Sequence, residues 1–237
     1  MERTDGSDTR LELLNGFRLI HDGEPVELPR PAERLAGFLA LQDRPSLRSH
    51  VATTLWLDST DAHAAGSLRS ALWRLRRLGY TLVEKQNRRL WLSPDVAVDH
   101  REAVAMARRL LDPASDLERI SLKNGLLSGD LLPDWYEDWV VLERERFREL
   151  RIHALESLCE RLTASGSYGQ AVEAGLAALT GEPLRESTHQ VLIKLHLAEG
   201  NRAQAIHQYD LLRGLLRDRL GLEPSTETRS LMAGLVS

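Results

Sequence analysis

With 237 residues, 42% of them hydrophobic and 28% charged, the chain has the make-up of a folded, water-soluble protein and the length of two domains rather than one. No apolar run approaches the roughly 20 residues that span a bilayer, and its one cysteine, Cys159, allows no intrachain disulfide, so the expectation is a cytoplasmic protein without membrane contact. A net charge of −4 would exclude a nucleic-acid partner if the charge were spread evenly, but local charge decides that question.

Residues 1–9 are polar, lack the apolar core of a signal peptide and are expected to be disordered. From Arg10 the pattern turns strand-like through Leu11, Leu13 and Phe17–Ile20. The turn His21-Asp22-Gly23-Glu24-Pro25 then leads to Val26–Leu28, a hairpin signal. Pro31 opens a helix through Leu41 whose apolar residues Leu35, Phe38, Leu39 and Leu41 keep helical spacing. Ser46 is the expected cap of a second helix carrying Leu47, Val51, Leu55 and Trp56. A third helix follows the turn Asp58–Asp61 and runs to about Leu78, with Leu68, Leu72 and Leu75 as its inward stripe and Gly79 as its stop. Strand-like runs at Tyr80–Val83 and Arg89–Leu92 flank the polar turn Lys85-Gln86-Asn87-Arg88, and Ser93-Pro94-Asp95 closes the unit.

Charge is concentrated within this unit. From Asp61 to Leu92 seven basic residues face two acidic ones, a net of +5, whereas from Asp99 onward 17 basic residues face 22 acidic ones, a net of −5. With the three leucines inward, Arg69, Ser70, Trp73, Arg76 and Arg77 fall on the opposite side or flanks of the third helix, and Arg74 lies beside them. Such a helix fits the major groove of DNA, where arginine can bridge O6 and N7 of guanine. The turn with Lys85, Asn87, Arg88 and Arg89 can reach phosphates or the minor groove as a wing. An isolated basic run is also met on a solvated amphipathic helix. The lack of acids between Asp61 and Glu84 and the second basic cluster at the next turn favour the DNA-facing reading. For Trp73, packing against helix two or the hairpin and contact with a base or sugar both stay open.

The block Arg10–Leu92 resembles the response-regulator type of winged-helix domain, in the version found in the Streptomyces antibiotic regulatory protein family. Gly66-Ser67-Leu68-Arg69-Ser70-Ala71-Leu72-Trp73-Arg74-Leu75-Arg76-Arg77 is similar to that family's recognition helix, and Thr54-Leu55-Trp56 to its usual Leu-Trp. The resemblance implies that Arg69, Ser70, Trp73, Arg74 and Arg77 face the major groove and that Arg88 or Arg89 belongs to the wing.

The second half is periodic. Gly166-Ser167-Tyr168-Gly169-Gln170-Ala171 recurs as Gly200-Asn201-Arg202-Ala203-Gln204-Ala205, an offset of 34 residues and the length of a tetratricopeptide repeat. Ala171 and Ala205 are the small residues that close helix pairing requires. Pro183 stands where the motif expects proline, and Arg217 replaces it in the second copy, which is expected to end in a longer helix. Upstream, Asp99–Leu111 and Asp116–Leu127 are expected to form one more helix pair, and a long helix starts near Glu143 with the solvated face Glu143–Arg148. From about Val98 the chain resembles the bacterial transcriptional activator domain that follows the winged helix in the same family. Leu131-Leu132-Pro133-Asp134-Trp135-Tyr136-Glu137-Asp138-Trp139-Val140 and Gly221-Leu222-Glu223-Pro224-Ser225 carry that likeness. It implies self-association and contact with RNA polymerase, and a chain that ends without the nucleotide-binding and sensor modules of larger members.

The expected architecture is therefore mainly α: a winged helix-turn-helix (α+β) over 10–95, then an all-α tetratricopeptide-like helical repeat domain over 98–237. No phosphate-binding loop, dinucleotide fingerprint or zinc-type ligand spacing occurs, so no enzyme activity, cofactor or metal is expected. His189, His196 and His207 read as packing or surface residues, and Cys159 as a small buried hydrophobe. The expected function is a DNA-binding transcriptional activator on promoter repeats, with double-stranded promoter DNA, RNA polymerase and a second copy of the chain as partners. The competing readings are a helical-repeat scaffold whose winged helix does not read DNA, and a regulator whose repeat groove takes an effector peptide or small molecule.

Overall fold

The computed structural model describes residues 9–115 and 125–233. Its contacts part the chain into two units, Met1–Ala103 with Gly129–Arg146 and Val104–Ser128 with Phe147–Ser237. Of the disorder expected at 1–9, residues 1–8 lie outside the described residues and Thr9 is ordered in a strand; most of the helix expected at Asp116–Leu127 also lies outside them, and positions 125–128 form a turn.

In the first unit, buried Thr9 and Leu11 alternate with half-exposed Arg10 and Glu12 in β1 (Thr9–Glu12), the period of a strand with one covered face. It pairs antiparallel with β2 (Arg18–His21), which pairs with β3 (Glu24–Pro25) across the Asp22-Gly23 turn. The other edge of β1 takes a parallel strand the sequence had hidden, β7 (Ala97–Val98), giving the order β3-β2-β1-β7. Helix α1 (Arg30–Ala40) carries Pro31 in its first turn and buries Ala32, Leu35, Ala36, Phe38 and Leu39. Helix α2 spans Arg48–Leu55 and α3 spans Asp61–Arg76. Ser46 does not cap α2. It pairs with Leu90 in a short strand, β4 (Ser46–Leu47), and the α2 N-cap is Leu47, without a side-chain bond. A second sheet, in the order β4-β6-β5, is completed by β5 (Val83–Gln86) and β6 (Arg89–Leu92).

Beyond β7, α4 (Asp99–Leu111) starts on a buried carboxylate. Asp99 accepts the N–H groups of Leu13 (2.8 Å), Leu14 (3.0 Å) and His100 (2.6 Å), fastening the end of β1 to the start of α4. Burial pushes this carboxyl above the usual range, and the three N–H groups and Arg10 pull the other way. The neighbouring His100 is only 8% exposed, and burial, with Arg101 beside it, pushes its pKa from 6.5 down to about 4. A base whose folded pKa is depressed supports the fold above its unfolded pKa and loses that support as pH falls. His100 should thus cost up to about 3 kcal/mol of stability between roughly pH 6.5 and 4. Acid melts of the parent and a His100→Gln variant, compared over that window, check this; identical slopes would remove the histidine as the cause.

The segment Gly129–Arg146 completes the first unit, where a helical-repeat assignment had been expected. Asn15 donates to the Asp130 carbonyl (2.7 Å) and Leu132 to that of Leu13 (2.9 Å), and Leu131 and Leu132 are fully buried. Trp135, 3% exposed, stacks on Phe17 at 5.7 Å and lies edge-on to Trp139, whose ring meets Phe38 in turn. Gly37 makes room for the indole: a Cβ there would stand 3.1 Å from two of its ring carbons. Arg144 was expected on a solvated face. Instead it turns onto the carbonyls of Leu131 (2.7 Å), Leu132 and Trp135 (2.7 Å), which satisfies a loop that has no ladder of its own.

The second unit is helical. The 34-residue offset of the sequence is exact in the backbone. Helix α5 (Asp138–Ala164) and α7 (Glu186–Ala198) end 34 residues apart, Gly166 and Gly200 turn at φ +76° and +84°, and α6 (Tyr168–Gly181) and α8 (Arg202–Leu220) start 34 apart. Ala171 and Ala205 are both fully buried, as close helix approach demands. Helix α8 is the longer one and ends on Gly221 at φ +67°. Helix α9 (Thr226–Met232) packs its Met232 beside Ile193 and Ala205. His189 is buried and satisfied, with Nε2 donating to the Pro183 carbonyl and Nδ1 accepting from Gln208; His207 is exposed. Burial of Cys159 pushes its thiol up to about 11, an inert packing group. No described helix is long and apolar enough to cross a membrane.

Candidate nucleic-acid interface

Helix α3 is capped by Thr60, whose side chain accepts from the N–H of His63, and it presents a buried stripe of Ala64, Leu68, Ala71 and Leu75. Leu72, expected inward, is only partly covered and lines the cleft beside the wing. The buried face is therefore turned slightly from the leucine stripe, and Arg69, Ser70, Trp73, Arg74, Arg76 and Arg77 are all exposed. The hydroxyl of Ser70 donates to the Gly66 carbonyl (3.2 Å), which spends its proton and leaves it an acceptor.

The hairpin beside α3 differs from the sequence expectation by three residues in its first strand. Residues Gly79–Leu82 form the approach, and β5 begins at Val83. The turn consists of Asn87 and Arg88 alone, at φ +48° and +63°, with Gln86 opposite Arg89. Positive φ at both central residues is the primed turn that matches strand twist, and asparagine suits its first position. Arginine does not suit the second. An L side chain held there costs about 1 kcal/mol relative to glycine, so the tip accepts strain in order to present a cation. Arg88→Gly should accordingly raise the melting stability of the hairpin unit by up to about 1 kcal/mol while weakening the DNA binding expected of the wing. Thermal melts and gel shifts on the one variant check both signs, and a gain in affinity would remove the wing tip from the interface.

Arg89 and Arg48 sharpen the picture. Arg89 donates to the Pro45 carbonyl (2.8 Å), so part of its guanidinium is occupied in holding the loop before β4. Arg48 was not singled out by the sequence, because it lies outside the Asp61–Leu92 basic stretch. Its backbone N–H bonds the Arg88 carbonyl (2.9 Å), tying the start of α2 to the wing tip. It lines two of the clefts around Arg69: one with Ser49, Thr53, Asn87 and Arg88, the other with Trp73, Arg76 and Lys85. The second cleft, about 490 Å³, has no carboxylate among its lining residues.

Electrostatic pairing separates this face from the rest of the unit. Arg10 pairs with Glu102 at 3.0 Å, Arg18 with Glu12 at 2.7 Å and Arg34 with Glu137 at 2.9 Å, and Arg30 reaches both Glu33 and Glu137. Among the described residues no carboxylate lies within 4.0 Å of Arg69, Arg74, Arg76, Arg77, Lys85 or Arg88. Exposed cations left uncompensated on one helix and one hairpin make a surface suited to a polyanion. No group of three His, Cys, Asp or Glu side chains among the described residues could hold a metal ion.

The model of the family described as the bacterial transcriptional activator domain matches residues 95–235. The chain is similar to the regulatory protein AfsR of Streptomyces coelicolor, 27% identical over 238 residues, and to that of Streptomyces griseus, 24% identical over 236. Both alignments cover 94% of this chain but only 24% of the relative, so the chain spans about a quarter of the length of these proteins. Among solved structures it is similar to EmbR of Mycobacterium tuberculosis, determined in complex with a low affinity phosphopeptide. The TM-score is 0.74 at 23% identity, covering 94% of this chain and 63% of that one. At that identity the likeness speaks for the fold, an N-terminal winged helix followed by a helical domain.

Proposed function

We propose that this chain, which belongs to the bacterial transcriptional activator domain family and is a regulator of the Streptomyces antibiotic regulatory protein type, activates transcription by reading promoter DNA through α3 and its wing. The observation that carries this reading is the uncompensated cationic face of α3 and the β5–β6 hairpin. Helix α3 enters the major groove with Arg69, Ser70, Arg74 and Arg77 toward base edges, and Arg76, Lys85 and Arg88 neutralise phosphates on either side. Each phosphate neutralised releases counterions, so binding falls steeply with salt. Residues 10–95 do the reading. Residues 98–237 supply the contact with RNA polymerase or with a second copy of the chain, and the 34-residue helix pairs offer the surface for it.

The test is selection of bound fragments from genomic DNA by the purified chain, followed by gel shift on the enriched sequence at several salt concentrations. The expected outcome is one enriched motif, repeated with a spacing near one helical turn, and a linear fall of log affinity with log salt. Recovery of no enriched sequence would favour the scaffold reading, in which the helix pairs bind protein and the winged helix is vestigial.

A further inference from the structure

We propose that Trp73 is a positioning residue that holds the guanidinium of Arg77 for its DNA contact, an inference that rests on the DNA-reading assignment of α3. Trp73 is 54% exposed on the outer face of α3, an unusual place for so large an apolar ring unless something uses it. Its ring lies 4.8 Å from the Arg77 guanidinium carbon, one helical turn away at i,i+4. Arg77 is the C-cap of α3; its N–H donates to the Arg74 carbonyl (3.1 Å) and that of Leu78 to the Leu75 carbonyl (3.3 Å), so the backbone beneath the side chain is fixed. Among the described residues no carboxylate lies within 4.0 Å of it, which leaves the indole face as the group that orients the guanidinium.

The chemistry of the two groups explains why this arrangement suits recognition. A guanidinium stacked on an aromatic ring uses its flat face and keeps its five N–H donors along its edge. The edge is the part that makes paired bonds to guanine O6 and N7 or to a phosphate. The rotamer freedom an arginine normally loses on binding is here given up before DNA arrives. Lysine over the same ring would present no such edge, because its ammonium is a point charge on a flexible stem. The stacked guanidinium also covers one face of the indole, which argues against a base stacking on that face.

The experiment is a double-mutant cycle on the full chain, using the duplex recovered by genomic selection and its single-base-pair variants. Trp73→Leu should weaken binding roughly 3- to 30-fold, and Trp73→Phe, which retains a ring face, should lose less than half of that effect on a logarithmic scale. In an Arg77→Ala background Trp73→Leu should have no further effect, and both single variants should relax preference at the same base pair. Melting temperatures should not move, since both side chains are exposed. A Trp73→Leu loss that persists in full without Arg77 would mean that the indole touches DNA itself, and would overturn the proposal, as would unchanged binding by Trp73→Leu. If Arg77→Ala and Arg69→Ala both leave binding intact, the DNA-reading assignment fails, and that failure is distinct from the failure of the pair.

Discussion

Replacement of Trp135 by alanine is expected to lower the stability of the first unit by about 3–5 kcal/mol, although this residue lies about a hundred positions from Phe17 and the residues of α1 that it packs against. The indole is 3% exposed, stacks on Phe17 and lies edge-on to Trp139. It also sits under the Arg30 guanidinium at 4.0 Å and occupies the space that Gly37 leaves open. Its loss opens a cavity among aromatic rings and frees the loop whose carbonyls Arg144 collects, so the transfer and cavity costs add. Tyr136, the next residue, is 82% exposed, and Tyr136→Ala should stay within about 0.5 kcal/mol of the parent. Denaturant melts of the two variants side by side make the comparison. A Trp135→Ala protein as stable as Tyr136→Ala would show that the segment merely lies on the unit without supporting it.

The second large effect concerns binding. Changing Arg69, Arg74 and Arg77 together to alanine should weaken promoter affinity by at least about 100-fold, since each paired contact to a base is worth roughly 1–3 kcal/mol. Those of the three that touch phosphate should each lower the salt slope by about 0.9. The melt should be nearly unchanged, because all three side chains are exposed and none is ion-paired among the described residues. Gel shifts across a salt series read both quantities. Parent-like affinity together with a parent-like slope would return α3 to the status of an ordinary solvated helix.

Much of this was legible because local rules act at short range. Pro31 opening α1, the Asp22-Gly23 turn and the paired glycines 166 and 200 are each decided by the backbone needs of one or two residues. The inward face of α3 was misread by one position because its contacts with α1 are close and small. Ala64 and Ala71 are buried where a leucine stripe suggested Leu72, and α1, against which α3 packs, buries small residues of its own at Ala32 and Ala36. Strand β5 was misplaced because the two-residue turn sets the register. Counting back from Asn87–Arg88 puts polar Lys85 and Gln86 in a strand, at a sheet edge where polarity is no obstacle. Ser46 had the chemistry of a cap and became a strand residue because Leu90 offered a ladder partner. Within the candidate interface, the basic residues of α3 and the wing tip could be named from the sequence. Arg48 could not, since its place beside Arg69 and Arg88 depends on how α2 meets the hairpin. The Trp135 docking is the same kind of case, a long-range pairing with no periodicity to announce it.

That docking also bears on how such regulators can be recombined. The family match starts at residue 95, but the folded winged-helix unit is assembled from two stretches of chain, up to Ala103 and again from Gly129 to Arg146. A hybrid regulator spliced at the family boundary would inherit Leu13, Phe17 and Phe38 from one parent and Leu131, Trp135 and Trp139 from the other, forcing foreign aromatic surfaces to fit. Exchange of DNA specificity between relatives should therefore succeed by regrafting α3 and the wing, and fail by swapping everything before residue 95.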